Sequence, residues 1–492
     1  MDQNKLARQM GLLTLTATGI CSMFGASIYI VPFMIQRNVP GIAQWVLPAF
    51  ALAAVPAILA AFAYAILSSA MPRAGGSYIY VSRGLNPYLG FIASFSQWFG
   101  LSIVIGVIAY VIVPFMRDVF LGVGWVNVAE ILENGIWRVG IALSLIWIFV
   151  GINIRGIDTY EKALLPMMYI MILLASIVII AGLVFDQNSF LQGLIERDGR
   201  SFIPLANANF DWKIFLSAAA LMFSSFIGFD SIAQAGGEAK NPSKNLPRAI
   251  LIAILGVGIF YFLFAASVYR IVPWSFIAEE SLFKDITAPG LLIYVLPGYL
   301  GVAILLGAVI ALINDLPAML LSVSRLMFAW SRDGIFPKRV ENIHPKFQTP
   351  YVALIVAGLI SSIGVLGSHF ASDFFLGIDI MVTSMLINFI LMSLTLLYIP
   401  KVNSKIHAEI KIFKNRKLQI AIASTGLLLL LVFLVMHTYK DLSKDLDAWY
   451  FHSTYVWIIV IVIASIIYFI KWRQLKNTGT NLYHHFKKLP KE

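Results

Sequence analysis

The stretch ATGICSMFGASIYIVP, Ala17 to Pro32, lies inside the first long apolar run of the chain. It makes a poor helix at its own centre, where Gly19, Cys21, Ser22, Gly25 and Ser27 crowd together. Glycine in a helix interior costs about 1 kcal/mol relative to alanine, and serine competes for backbone hydrogen bonds. In hydrocarbon every backbone N–H and C=O needs a partner, so unwound chain is tolerated only where it borders a cavity. A break here frees amides at the start of the outer half-helix and carbonyls at the end of the inner half. The amides carry the positive helix end and suit a carboxylate. The carbonyls suit an ammonium group or a metal cation. The weak centre therefore reads as a binding site, with close helix packing by small residues as the alternative.

The rest of the chain supports a membrane setting. Of 492 residues, 59% are hydrophobic and 12% charged, and the mean hydropathy is +0.83. That balance excludes an ordinary soluble domain and indicates an all-α integral membrane protein. Apolar runs long enough to cross ~30 Å of hydrocarbon recur along the chain. Twelve spans are predicted, centred near Phe24, Ala57, Val104, Ile146, Ile172, Phe226, Ile259, Pro317, Val356, Leu386, Leu428 and Ile461. The two longest connections, 186–212 and 272–297, carry Pro, Gly and mixed charge and suit short surface helices. The opening MDQNKLARQM is polar, and no cleavable signal peptide is expected.

The net charge of +11 sits in the loops and is read as topology, not as a nucleic-acid surface. With the N terminus inside, 26 of the 36 Lys and Arg fall on the inner side and ten on the outer. This bias predicts that both termini face the cytoplasm, in a plasma or bacterial inner membrane. Cys21 is the single cysteine, which leaves no intramolecular disulfide and no cysteine metal cluster. The seven histidines lack metal spacing, and no P-loop, GxSxG or dinucleotide fingerprint occurs. No enzyme activity and no cofactor beyond a coupling ion are expected.

A second weak helix, MFSSFIGFDSIAQAGGEAKNP, runs from Met222 to Pro242. It falls in the sixth span, five after the first, and an offset of five inverts one copy relative to the other. Two interrupted segments at matching places point to an inverted-repeat transporter with its site at mid-membrane. The expected division is a ten-helix core over 1–400, with repeats at about 10–186 and 212–400. Two further helices and a basic tail, expected to be solvated or to touch anionic lipid, fill 401–492.

Four stretches resemble the amino acid–polyamine–organocation transporter superfamily. They are GICSMFGASIY in the first span, MPRAGGSYIYVSRGLNPYLGF (Met71–Phe91), FIGFDSIAQAGGEAKNPSKNLPRAI (Phe226–Ile250) and SRLMFAWSRDGIFP (Ser324–Pro337). The resemblance implies a five-plus-five inverted repeat with discontinuous first and sixth helices, two extra helices, and secondary transport of amino acids or related amines. It implies that amides of Ala26, Ser27 and Ile28, beside Gly25, hold a substrate carboxylate. Carbonyls near Ser22 and Met23, with those of Ser224, Phe226 and Ile227, would hold the amino group. Ile227 and Gly228 would floor the pocket, Ser96 and Gln97 could face the substrate, and Met319 would gate it. The sequence also departs from the family pattern. Ser27 replaces a glycine, Tyr29 replaces a phenylalanine, and Met171 stands where some proton-coupled relatives carry a lysine.

Charges inside the spans need a reason, since each costs ~2.5–3.5 kcal/mol on insertion scales. Asp230 lies two residues past Gly228. It could bind a substrate cation, carry a coupled proton, or cap freed amides. Asn314 and Asp315 precede Pro317, which removes a backbone donor and frees carbonyls one turn earlier. Such oxygens with a carboxylate suit a hard cation such as sodium, a titrating proton, or a buried hydrogen bond. Glu238 and Arg248 bracket EAKNPSKNLPR, where an inner salt-bridge gate is expected, with Arg73, Arg83, Arg155, Arg325 and Asp333 as candidate partners. Asp379 could face the outer vestibule. The expected function is alternating-access transport of an amino acid, by proton or sodium symport. The alternatives are polyamine or cationic amino-acid exchange, and a channel or sensor on the same fold.

Overall fold

The computed structural model describes residues 6–25, 27–371, 374–443, 449, 452–479 and 481–490. Helices account for nearly all of the regular structure. In chain order they are α1 (Leu12–Met23), α2 (Ser27–Asn38), α3 (Val46–Ala70), α4 (Gly76–Gly84), α5 (Pro87–Gly122), α6 (Val126–Glu133) and α7 (Gly135–Ile154). There follow α8 (Ile157–Val184), α9 (Gln187–Asp198), α10 (Trp212–Met222), α11 (Ser231–Gln234), α12 (Pro242–Ile271), α13 (Trp274–Ser281) and α14 (Ala288–Leu292). The last are α15 (Gly298–Arg332), α16 (Tyr351–Ala371), α17 (Phe374–Val402), α18 (Ser404–Ala408), α19 (Arg416–Leu442), α20 (Ser453–Asn477) and α21 (Leu482–His485).

Twelve segments among the described residues are long and apolar enough to cross a membrane, and each predicted centre falls inside one. Two of the twelve are built from more than one α-helix. Leu12–Asn38 joins α1 and α2, and Trp212–Gln234 joins α10, a 3₁₀ turn and α11. The helix starts are set locally. Asn86 accepts from the amides of Tyr88 and Leu89, with Pro87 in the first turn of α5. Asn134 accepts from the amide of Ile136 at the start of α7. The two long connections do carry short helices: α9 in one, α13 and α14 in the other.

The core sits where α15 packs on α5, α8 and α1, and α12 packs on α3, α1 and α8. At the α5–α16 crossing, backbone meets backbone. A Cβ on Gly106 would lie 2.1 Å from the Ser361 carbonyl oxygen, and one on Gly364 would lie 2.4 Å from that of Ile103. Without a hydrophobic drive between helices in lipid, such small-residue contacts let dispersion hold the pair. The peripheral α19 and α20 rest on α17, α3 and α5. Their outer faces leave Leu428, Val435, Val462, Ile466 and Phe469 exposed, as a lipid-facing surface requires. Two isolated bridges, Met10 with Ala239 and Ala74 with Ala235, tie the chain before α1 and after α3 to the end of the sixth span. We call this end of the molecule its N-terminal side.

Candidate functional site

The first break follows directly from its residues. The helix α1 stops at Met23, where the Phe24 amide donates to the Ile20 carbonyl at 2.7 Å. The Gly25 amide then turns to the Met23 carbonyl at 2.9 Å, and α2 begins at Ser27. Ala26 lies outside the described residues. In the sixth span α10 ends at Met222, a 3₁₀ turn covers Phe223–Phe226, and Ile227 is extended. Gly228 follows at φ +137°, which only glycine adopts readily. The two breaks touch: a Cβ on Gly228 would stand 2.2 Å from the Ser22 carbonyl oxygen. Ser231 fastens the second break, its hydroxyl donating to the Gly228 carbonyl at 2.6 Å.

A cavity of about 160 Å³ opens from these breaks. Its deep end is formed by Ser22, Met23, Gly25, Ser27, Ser224, Ile227, Asp315 and Met319. The walls are apolar and include Ile30, Val31, Val104 and Ile108. They run along α2 to Asn38, Asp379 and His437 at the far end. Asp379 is thus one of the residues that line this cavity.

Asp315 is the charged group at the deep end. It is buried, and its Oδ1 has no hydrogen-bond partner among the described residues. Its Oδ2 lies 2.9 Å from where a Cβ on Gly25 would stand, against the break itself. The neighbouring Asn314 turns away from the cavity. Its amide group donates to Cys21 Sγ at 2.9 Å and to the Leu164 carbonyl at 3.3 Å. Met171, which replaces the lysine of some relatives, lies beside it at 3.9 Å.

Other expected site residues sit elsewhere. Ile28, expected to act through its backbone amide, is buried, and Phe226 packs tilted against Phe50 at 5.2 Å; neither lines the cavity. The Ser96 hydroxyl receives the Trp457 indole N–H at 2.7 Å, so it faces α20. Gln97 and Asp230 meet each other in a sealed polar cluster, Nε2 to Oδ2 at 2.5 Å. Ser77 and Asn388 both donate to Gln97 Oε1 at 2.8 Å, Gln234 donates to Ser77, and Asn388 also reaches the Tyr64 hydroxyl at 2.9 Å. This cluster joins α3, α4, α5, α11 and α17 on the N-terminal side of the breaks, and Asp230 does not line the cavity.

That side is closed by two buried ion pairs. Arg325 grips Glu238 through two bonds of 3.0 and 2.6 Å. Arg83 grips Asp333 at 2.5 and 2.7 Å, and the Tyr78 hydroxyl donates to the same carboxylate at 2.6 Å. Burial works against the charge on Arg83, but Asp333 outweighs it and holds the guanidinium above its ordinary value. Of the candidate partners it is Arg325 that takes Glu238, while Arg248 is exposed and makes no ion pair among the described residues. The reason is reach. Glu238 faces inward on the 3₁₀ turn after α11, where α15 presents Arg325, while Arg248 turns outward on α12.

Sequence reasoning missed Tyr261, whose hydroxyl donates to the Met23 carbonyl at 2.6 Å. Together with the Gly25 amide it engages both lone pairs of a carbonyl that the first break had freed. Also missed were Tyr64, Asn388 and His437. Each is a lone polar group in an apolar run, which is the signal that could have found them.

A profile described as amino acid permease matches residues 10–472 of the sequence. The chain belongs to the amino acid permease family. It is a permease of the membrane, with no enzyme activity implied. It is similar to a branched-chain amino acid permease of Bacillus subtilis, 27% identical over 73% of this chain and 75% of the relative. A methylthioribose transporter of the same organism is 26% identical over 74% and 75%. A low-affinity putrescine importer of Escherichia coli is 25% identical over 69% of each chain.

Proposed function

We propose that this permease is a secondary active transporter that carries an amino acid or a related amine by alternating access, coupled to a cation. The observation that carries the reading is one-sidedness. Two broken helices meet at the floor of one cavity that leads away along α2, while two buried ion pairs close the opposite side. Such a molecule has reached one of the two states that a transporter needs. In the other state, the Arg325–Glu238 and Arg83–Asp333 pairs part and the cavity reaches the N-terminal side. Substrate and ion drive the exchange only through different affinities for the two states.

The roles divide as follows. Ser22, Met23, Gly25, Ser27, Ser224 and Ile227 would hold the substrate at the breaks, with amides near Ala26 and Ile28 contributing backbone. Gly228 lets the breaks touch. Met319 would close the deep end, and the ion pairs gate the N-terminal side. Asp230, sealed against Gln97, suits a proton carried between states. Asp315 suits a cation delivered through the cavity. The N-terminal side is assigned to the cytoplasm from the Lys and Arg bias. The five-plus-five repeat accounts for two breaks that face one another. The named relatives move compounds from amino acids to a diamine, which supports the class of substrate and leaves its identity to experiment.

The test is flux. Purified protein in sealed vesicles is given labelled amino acids and amines under an imposed proton, sodium or substrate gradient. Uptake that follows one gradient is the expected result. No movement of any compound under any gradient overturns the proposal. Single-channel current, or binding without flux, would place the chain with channels or sensors instead.

A further inference from the structure

We propose that Asp315 supplies, from the protein, the carboxylate that an amino acid would bring, so that the cavity takes a primary amine with an apolar body and no α-carboxylate. This rests on the transporter reading above and narrows its substrate.

The argument begins with position. The first turn of a helix leaves its amides without intrahelical acceptors, and the first turn of α2 begins at Ser27. Those amides are where a substrate carboxylate would be expected. Asp315 stands beside that place, its Oδ2 within 2.9 Å of an added Gly25 Cβ. The residue is 4% exposed, and Oδ1 has no partner among the described residues. No described basic side chain pairs with it, although buried carboxylates elsewhere in the molecule have arginine partners. A buried carboxylate left this way asks for a cation from outside.

Ligand chemistry then decides between classes. A zwitterion would have to set its carboxylate against Asp315 in a low-dielectric site, where like charges repel strongly. A primary ammonium has no such conflict. It can donate to Asp315 Oδ1 and to the Ser224 hydroxyl at the same deep end. Beyond these groups the walls are hydrocarbon and thioether, among them Val31, Met34, Val104 and Ile108, until Asn38, Asp379 and His437 at the far end. That suits an aliphatic or aromatic body. Asp230 cannot play this part, because its carboxylate is bonded to Gln97 away from the cavity.

The experiment compares amino acids with their decarboxylated forms. Full-length protein in detergent is titrated with leucine against 3-methylbutylamine and phenylalanine against phenethylamine, with and without sodium, and the thermal shift is read. Each amine is expected to raise the melting temperature at concentrations at least tenfold below those at which its parent amino acid acts. Asp315→Asn should weaken amine binding at least tenfold, and Asp315→Glu should restore part of it. The wild-type comparison needs no variant to fold. An amino acid that binds as tightly as its amine, with or without sodium, overturns the inference. So does a failure of both classes to bind at millimolar concentration. Vesicle flux separates this claim from the broader one. Leucine carried and amine ignored overturns the amine inference alone. Amine bound while no compound is carried overturns the transporter reading alone.

Discussion

At Gly228 two constraints meet in one residue. Its φ of +137° disfavours any side chain, and a Cβ there would press to 2.2 Å on the Ser22 carbonyl oxygen. Gly228→Ala should cost about 1–3 kcal/mol for the backbone alone, with the contact added. We expect the variant to lose ligand-induced stabilisation and flux. Gly140→Ala is the control, since nothing lies within 4 Å of a Cβ there. Equal behaviour of the two variants would show that the contact between the breaks is dispensable. Tyr261→Phe tests the same place from α12 by removing the donor on the Met23 carbonyl. A buried carbonyl left with fewer partners costs about 1–3 kcal/mol, so a lowered melting temperature with ligand affinity changed in step is expected. The two variants also show what could be read from sequence. Gly228 and Ser22 were legible because a weak helix centre is a local property. Tyr261 was not, because its partner is 238 residues away and nothing in GIFYFLF points to it. Ser96 erred in the other direction: it sits in the expected span, but its rotation about the axis of α5 is set by packing against α20.

Between elements, magnitude separates the buried pairs from the exposed ones. Arg325 and Glu238 are each 1% exposed in their side chains. Removing one partner of a buried pair costs about 3–5 kcal/mol, while replacing both is often neutral. Arg325→Leu should therefore be far less stable than Arg325→Leu combined with Glu238→Leu, as a double-mutant cycle on melting would report. A double variant that loses as much as the two single losses added together would mean that the pair adds no coupling. The cluster that ties α13 to the segment after α9 behaves differently. Glu280 is bonded to Lys284 at 2.7 Å and to Arg200 at 2.6 Å, with Arg200 46% exposed. Burial raises the Glu280 carboxyl, but the two cations outweigh it and hold it below the ordinary carboxylate range. Its folded value is depressed, so its stabilisation is present above the ordinary range and fades as pH falls through the depressed value. Hydrogen exchange over α13 should quicken in that acid window. Glu280→Gln should abolish the step, and salt should shrink it. A pH step unchanged in Glu280→Gln would assign it to another group. This clasp was partly legible, since mixed charge with Pro and Gly indicated short surface helices, but the pairing of Arg200 with Glu280 between the two connections was not.

For the whole molecule, the twelve spans were legible because hydropathy is a property of composition over about 20 residues. The tail was not. Its lysines suggested a solvated or lipid-facing end, yet residues 481–490 fold back onto the closed N-terminal side. Phe486 is buried, stacks on Trp472 at 5.6 Å and lies under the Arg83 guanidinium at 5.2 Å. Arg83 Nε donates to the Lys488 carbonyl at 3.2 Å, and Arg73 Nε donates to that of Pro490 at 3.0 Å. Asn403 bridges the carbonyls of Arg83 and Lys487 at 3.3 and 3.1 Å. These bonds are made largely by backbone carbonyls of the tail, which no charge count reveals. They cover the Arg83–Asp333 pair from water, and covering an ion pair strengthens it. Ending the chain after Asn477 should then weaken that closure and populate the state open to the N-terminal side. The readout is labelling of a cysteine placed at Gln234, in a Cys21→Ala background, from that side of the membrane. Labelling is expected to quicken about tenfold, which corresponds to about 1.4 kcal/mol in the opening equilibrium. Phe486→Ala should move it the same way by less. Unchanged labelling in both would make the tail a passive cover, because a closure that depended on it could not survive its loss.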